Sequence, residues 1–180
     1  MSILDFLGLS KPRKGSGHGA AADTETVRKI VAALDRMDPE RARFTAAFAF
    51  ILCRAARADL KITPEETRIM ERIVTERSKL PEDQAVLVVQ MAKTQNILFG
   101  GTENFLVTRE FNKIATHDEK IALLECMFAV ASDEKISTVE DNEISRICSE
   151  LFITHDEFVS VRMKFRDQRT VFHKPEPPAS

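Results

Sequence analysis

From Thr24 onward, apolar residues recur along the chain with the 3.6-residue period of amphipathic helices. Val27, Ile30, Val31 and Leu34 mark one face of a first helix, with Asp23 placed as its N-cap. Asp38-Pro39 opens a second helix, with proline in its favoured first position, and the run continues to about Ala58. Its FTAAFAFILC stretch is apolar nearly all round, which predicts a helix at the centre of a bundle. Further stripes begin after Thr63 (Ile69, Met70, Ile73, Val74), Thr116 (Ile121, Leu124, Phe128, Ala131), Ser137 (Ile144, Ile147, Cys148, Leu151) and Thr154 (Phe158, Val161, Phe165). Two more helices are predicted between the first two of these, from about Pro81 to Lys93 and from about Phe105 to Ala115, separated by a break at Gly100-Gly101.

Polar residues at the helix starts sharpen this picture. Thr63, Thr116, Ser137 and Thr154 are each followed three residues later by glutamate (Glu66, Glu119, Glu140, Glu157). In such a capping box each side chain satisfies an orphan backbone N–H of the other residue. The pattern predicts an all-α fold, a single-domain helical bundle of about eight helices over residues 23–167. A flexible N-terminal segment (1–22) precedes it and a disordered C-terminal tail (168–180) follows. In the N-terminal segment, an apolar patch at Ile3, Leu4, Phe6, Leu7 and Leu9 leads into KPRKGSGHGAAA.

Composition changes this mostly by exclusion. Of six glycines only Gly100 and Gly101 lie in the body, and of seven prolines only Pro39, Pro64 and Pro81 do. A body so poor in turn residues is not a many-stranded sandwich or barrel. It also contains neither GxxxxGK[ST] nor GxGxxG, the common phosphate-cradling loops. With 26 basic and 28 acidic side chains, a net charge of −2 and no long basic run, nucleic acid is not expected as a partner. The longest apolar run, Phe44 to Cys53, is far shorter than the roughly 20 residues of a membrane span. Cys53, Cys126 and Cys148 lie in apolar stretches and read as reduced core residues of a cytoplasmic protein. No Ser/His/Asp or Cys/His set has recognisable local context, so no catalytic residues are assigned and an enzyme is not expected.

The body also repeats itself. ARADLKITPEETRIMERIV from Ala56 aligns with VASDEKISTVEDNEISRIC from Val130 at an offset of 74 residues. Asp59 matches Asp133, Lys61 matches Lys135, Ile62 matches Ile136, Thr63 matches Ser137, and Glu66 matches Glu140. Each copy is an apolar helix, a D-x-K-I link and a capped amphipathic helix. This suggests an internal duplication forming a pseudo-two-fold pair of helical hairpins, with the two links near one another.

The glutamate of each copy is explained by capping. The aspartate follows a helix C-terminus, where the macrodipole disfavours negative charge, although its side chain can bond nearby backbone N–H groups. Asp59, Glu66, Asp133 and Glu140 are therefore candidate ligands for a hard divalent cation, Ca²⁺, Mg²⁺ or Mn²⁺, with capping alone as the alternative. An EF-hand starting at Asp133 is excluded, because Thr138 and Ile144 occupy its glycine and glutamate positions. Zinc is not expected, since His18, His117, His155 and His173 share no ligand spacing with each other or with the cysteines.

ADLKITPEE and SDEKISTVEDNE, each after an Ala-rich apolar helix, resemble the duplicated acidic motif of the TerB-type tellurite-resistance family, whose helical domain also forms the N-terminal part of the DnaJ-like co-chaperone DjlA. The resemblance spans roughly residues 40–165. It implies an all-helical domain with a divalent-metal site on those four carboxylates. It also implies a non-enzymatic role in stress response or membrane-linked complexes. The chain has no HPD tripeptide, so co-chaperone activity is not implied. The family usually places glycine directly after the motif aspartate, where this chain has Leu60 and Glu134, which requires a different turn or modest strain. The alternative reading is a metal-free helical scaffold that engages a protein partner, or a membrane surface peripherally through Ile3–Leu9.

Overall fold

The computed structural model describes residues 38–132 and 136–172, with side chains to residue 165. The helix expected from Thr24, the Ile3–Leu9 patch and Asp133 to Lys135 lie outside these residues. The described chain is all helix and loop. Six α-helices are present, α1 (Pro39–Ala56), α2 (Pro64–Ser78), α3 (Glu82–Ile114), α4 (His117–Ala131), α5 (Thr138–Glu150) and α6 (His155–Phe172), with a 3₁₀ turn (Arg57–Asp59) after α1. The last residues of α6, 168–172, extend into the segment that the sequence assigns to the tail.

Helix α1 occupies the centre, as its unbroken apolar run predicts. Asp38 caps it by accepting from the backbone N–H groups of Glu40 and Arg41, each at 3.1 Å, and Pro39 fills the first position. From Thr45 to Ala56 every residue is buried. Six alanines of α1 are buried (Ala42, Ala46, Ala47, Ala49, Ala55, Ala56), and such small side chains let neighbouring helices approach closely. Helices α2, α3, α4 and α5 all pack against it. Phe44 and Phe48 meet Phe111 of α3 at ring-centroid distances of 5.2 and 6.4 Å. Helix α6 packs on α4, where Phe128 stacks with Phe165 and meets Phe158 at 5.9 and 5.7 Å.

All four capping boxes form. The backbone N–H of Thr63, Thr116, Ser137 and Thr154 donates to the glutamate three residues on at 2.6, 2.7, 2.8 and 2.8 Å. The return bonds to the hydroxyl oxygens span 3.0 to 3.3 Å.

The expected break at Gly100-Gly101 is not a break. Residues 82–114 form one continuous helix, so the two helices predicted there are one, and the count among the described residues is six. Two interior glycines cost about 1 kcal/mol each relative to alanine, which burial along the helix (Val88, Val89, Ala92, Val107, Phe111) readily offsets. The glycines instead mark a bend. Asn96 Nδ2 donates to Asn104 Oδ1 at 3.4 Å, across eight residues. In a straight helix eight residues advance about 12 Å, more than two asparagine side chains can bridge. Helix α3 therefore curves toward the core at this point, the behaviour expected at a glycine pair. Gly100 faces the two amides, and a Cβ there would meet them at 3.5 Å, whereas Gly101 faces open space.

One buried ion network ties distant parts of the chain together. Arg54, 4% exposed near the end of α1, donates through Nε to Glu143 at 2.6 Å. It also donates to both oxygens of Glu150 at 2.7 and 2.9 Å, and to the Thr108 hydroxyl at 2.9 Å. Burial raises the Glu150 pKa, but the Arg54 hydrogen bonds and charge more than offset this and hold it below its ordinary 4.5. The lowered value fixes the sign of the pH dependence. The stabilisation is complete above the unfolded value and is lost as pH falls through the folded one.

Two outcomes follow for chemical denaturation. Gly101→Ala is expected to stabilise the protein by about 0.5–1 kcal/mol, because a helical backbone gains from alanine there; a turn with positive φ would reverse the sign. Arg54→Met is expected to cost about 3 kcal/mol at pH 7 by leaving two carboxylates without their cation, with part of the loss recovered when Glu143→Gln and Glu150→Gln are added.

Candidate functional site

The candidate site begins where α1 ends. The 3₁₀ turn closes with Leu60 N–H donating to the Arg57 carbonyl at 2.8 Å, and Leu60 itself is left-handed, with φ 71° and ψ 9°. This is the position where glycine is free of the Cβ clash that costs other residues roughly 1–2 kcal/mol. At Leu60 the turn expected of a glycine thus persists with leucine in it, and the departure there is met by strain, not by a new turn, while Glu134 lies outside the described residues. The Leu60 side chain is 76% exposed.

Asp59, immediately before Leu60, accepts a hydrogen bond from the Lys61 backbone N–H at 2.9 Å. This local turn bond supplies the structural half of the aspartate's expected role. Glu66 caps α2 through Oε2 and Glu140 caps α5 through Oε2, so each bond engages one of two carboxylate oxygens. Both glutamates are 7% exposed. The 3₁₀ turn also packs directly on α5, which carries Glu140.

Comparing two equivalent glutamates isolates what is special here. Glu157 and Glu66 hold the same third position of a capping box. Glu157 is pulled down to about 2 by its hydrogen bonds to Thr154 and by His117, whose Nε2 lies 2.7 Å away. Glu66 moves the other way. Burial pushes it up, outweighing its bonds to Thr63, and the negative charges of Glu140 and Asp59 push it further. Of the four sequence-predicted carboxylates, Asp59 and Glu140 are thus each within electrostatic reach of Glu66. The fourth, Asp133, lies outside the described residues. Among the described residues no group of three or more His, Cys, Asp or Glu side chains is already arranged to hold a metal ion. Carboxylate oxygens are the donors that hard divalent cations prefer.

Residues 45–163 match the family model described as tellurite resistance protein TerB. The chain belongs to the TerB family. The match contains α2, α3, α4 and α5 entire, most of α1 and the first half of α6, and both acidic motifs. Comparison with curated proteins and with solved structures returns no match. Among the described residues no helix is long and apolar enough to cross a membrane.

Sequence reasoning overlooked Arg54, which positions the site by fixing the end of α1 against α5. The available signal was a lone cation directly after FTAAFAFILC, since a charge inside a wholly apolar helix needs buried partners. The cysteines are buried as expected, and burial pushes Cys53 and Cys148 up to about 12, which makes them unreactive thiols.

Because Glu66 is raised above its ordinary 4.5, chiefly by burial and further by its acidic neighbours, the penalty of its charge is absent below that value and grows as pH rises through the folded one. Measured with chelator present, Glu66→Gln is expected to keep the cap, remove this pH dependence and leave the protein at least as stable at pH 7 as the parent. Glu66→Ala, which loses the cap, is expected to cost about 1 kcal/mol.

Proposed function

We propose that this TerB-family chain is a non-enzymatic stress-response module that holds a hard divalent cation, Ca²⁺, Mg²⁺ or Mn²⁺, through Asp59, Glu66, Asp133 and Glu140. The two links are then related as a pseudo-two-fold pair of hairpins, each contributing one aspartate and one capping glutamate. The observation that carries this reading is the contrast between Glu66 and Glu157. The same capping position gives opposite pKa shifts, because burial and then the charges of Glu140 and Asp59 raise Glu66, whereas hydrogen bonds to Thr154 and His117 lower Glu157. Gathering like charges in a shielded place is unfavourable for the protein alone, and a cation supplies the opposite charge that relieves it. The partner such a module serves is a protein or a membrane surface, engaged through the Ile3–Leu9 segment.

Thermal unfolding of the chelator-treated protein with and without added cation tests the site. A cation present at 100 times its dissociation constant adds about 2.7 kcal/mol. For a domain of this size that corresponds to a rise of roughly 5–10 °C in Tm. The rise is expected with at least one of Ca²⁺, Mg²⁺ and Mn²⁺ at millimolar concentration. It should vanish in Asp59→Asn/Asp133→Asn and also in Glu66→Gln/Glu140→Gln, which keeps both helix caps. An unchanged Tm with all three ions overturns the proposal.

A further inference from the structure

The outer face of α3 around its bend carries an apolar patch that the cation site does not use. Ile97, Leu98, Phe99, Phe105 and Leu106 are between 40% and 63% exposed. Side chains of this kind offer about 200 Å² each, so roughly 500 Å² of apolar surface faces water, at the upper end of what one monomer carries. No described element covers it. Helix α1 begins beside the C-terminal end of α3, where Phe44 meets Phe111 at 5.2 Å and Arg41 donates to the Ser78 carbonyl. From Thr94 to Arg109 the only charged residues are Glu103 and Arg109, one of each sign. A membrane-surface helix rims its apolar face with Lys and Arg, and a site for a charged segment carries an excess of one sign. This face does neither.

We propose that the occupant is a second copy of this chain, with the two α3 helices crossing antiparallel at Gly101. A two-fold interface requires a face that complements itself in reverse order, and this one does. Ile97 and Phe105 lie four residues to either side of Gly101, and Leu98 and Leu106 lie three before it and five after it. In a reversed copy, Ile97 and Leu98 of one chain fall against Phe105 and Leu106 of the other, on both sides of the crossing. Nothing lies within 4 Å of where a Cβ of Gly101 would stand, so no side chain holds the two backbones apart there. The bend helps, because Asn96 and Asn104 draw together on the core side and turn the apex outward. All five apolar residues lie within about 8 Å of that apex along the helix. Arg109, eight residues from the crossing, sits at the rim, where helices crossed at about 50° diverge. Pairing removes roughly 1,000 Å² of apolar surface from water, and the flanking Thr94, Thr102 and Glu103 bring the total to the 1,200 Å² or so at which stable interfaces begin.

Sedimentation equilibrium of the full-length chain reads the oligomeric state directly. At about 100 μM the parent is expected at close to twice its 20.3 kDa, and Leu98→Glu/Phe105→Glu at the single-chain mass with unchanged helical circular dichroism. A single-chain mass for the parent assigns the patch to another occupant and overturns the proposal. A dimer that survives Leu98→Glu/Phe105→Glu overturns it as well. The crossing point has its own test, which also serves should the double variant fail to fold. At a two-fold axis a residue meets its own counterpart, and the native cysteines are buried. Gly101→Cys is therefore expected to form an intermolecular disulfide under mild oxidation at least about tenfold faster than Arg68→Cys on the exposed face of α2. Equal rates overturn the proposed crossing.

Discussion

The arrangement depends on one buried cation. Arg54 sits near the end of the most buried helix, with its charge satisfied by Glu143 and Glu150 from α5 and a fourth hydrogen bond made to Thr108 of α3. Such a network adds little net stability over well-packed apolar residues, but it tolerates only one register. Shifting α5 by a turn along α1 would strand two carboxylates and a guanidinium in a shielded place. The 3₁₀ turn with Asp59 begins three residues after Arg54, and Glu140 lies three residues before Glu143. The interaction that fixes the register therefore also sets the turn that carries Asp59 against the helix that carries Glu140.

The capping glutamates serve two ends of the same physics. A carboxylate at a helix N-terminus is favourable because the backbone N–H groups there are unpaired. When such a terminus is buried, the helix is well capped, yet its carboxylate is cut off from water and feels the charge of nearby acids. Glu66 records this conflict in its upward shift, which burial dominates, and Glu157, half-buried and bonded to His117, moves the other way.

Much of the fold was legible because its determinants are local. Thr63 and Glu66 meet across a single turn, and Pro39 or Asp38 signals a helix start whatever the tertiary context. Gly100-Gly101 misled for the opposite reason. Glycine lowers local preference for helix, but long-range packing of Phe111 and Val107 decided the outcome, and the pair was used for curvature. At the site, the types and spacing of Asp59, Glu66 and Glu140 were legible as a repeated pattern. The upward shift of Glu66 was not, because it arises from burial and from a residue 74 positions away. Arg54 was hidden in the same way, since its partners lie 54, 89 and 96 residues further along the chain. The left-handed Leu60 could be posed as a choice between strain and a new turn, and only backbone angles could decide it.

The bent helix has a further consequence for how the molecule comes apart. One arm of α3 holds α2, through Lys93 to Thr67 and Gln90 to Glu71, and the other holds α1 and Thr108's link to α5. The two motif-bearing halves are thus joined by a shared structural member, not by a loop. Neither half retains a complete core if the chain is cut at the bend, so local opening of one is transmitted to the other. The domain melts as one cooperative unit, and its midpoint is a poor site for splitting or circular permutation, although a glycine pair there invites both.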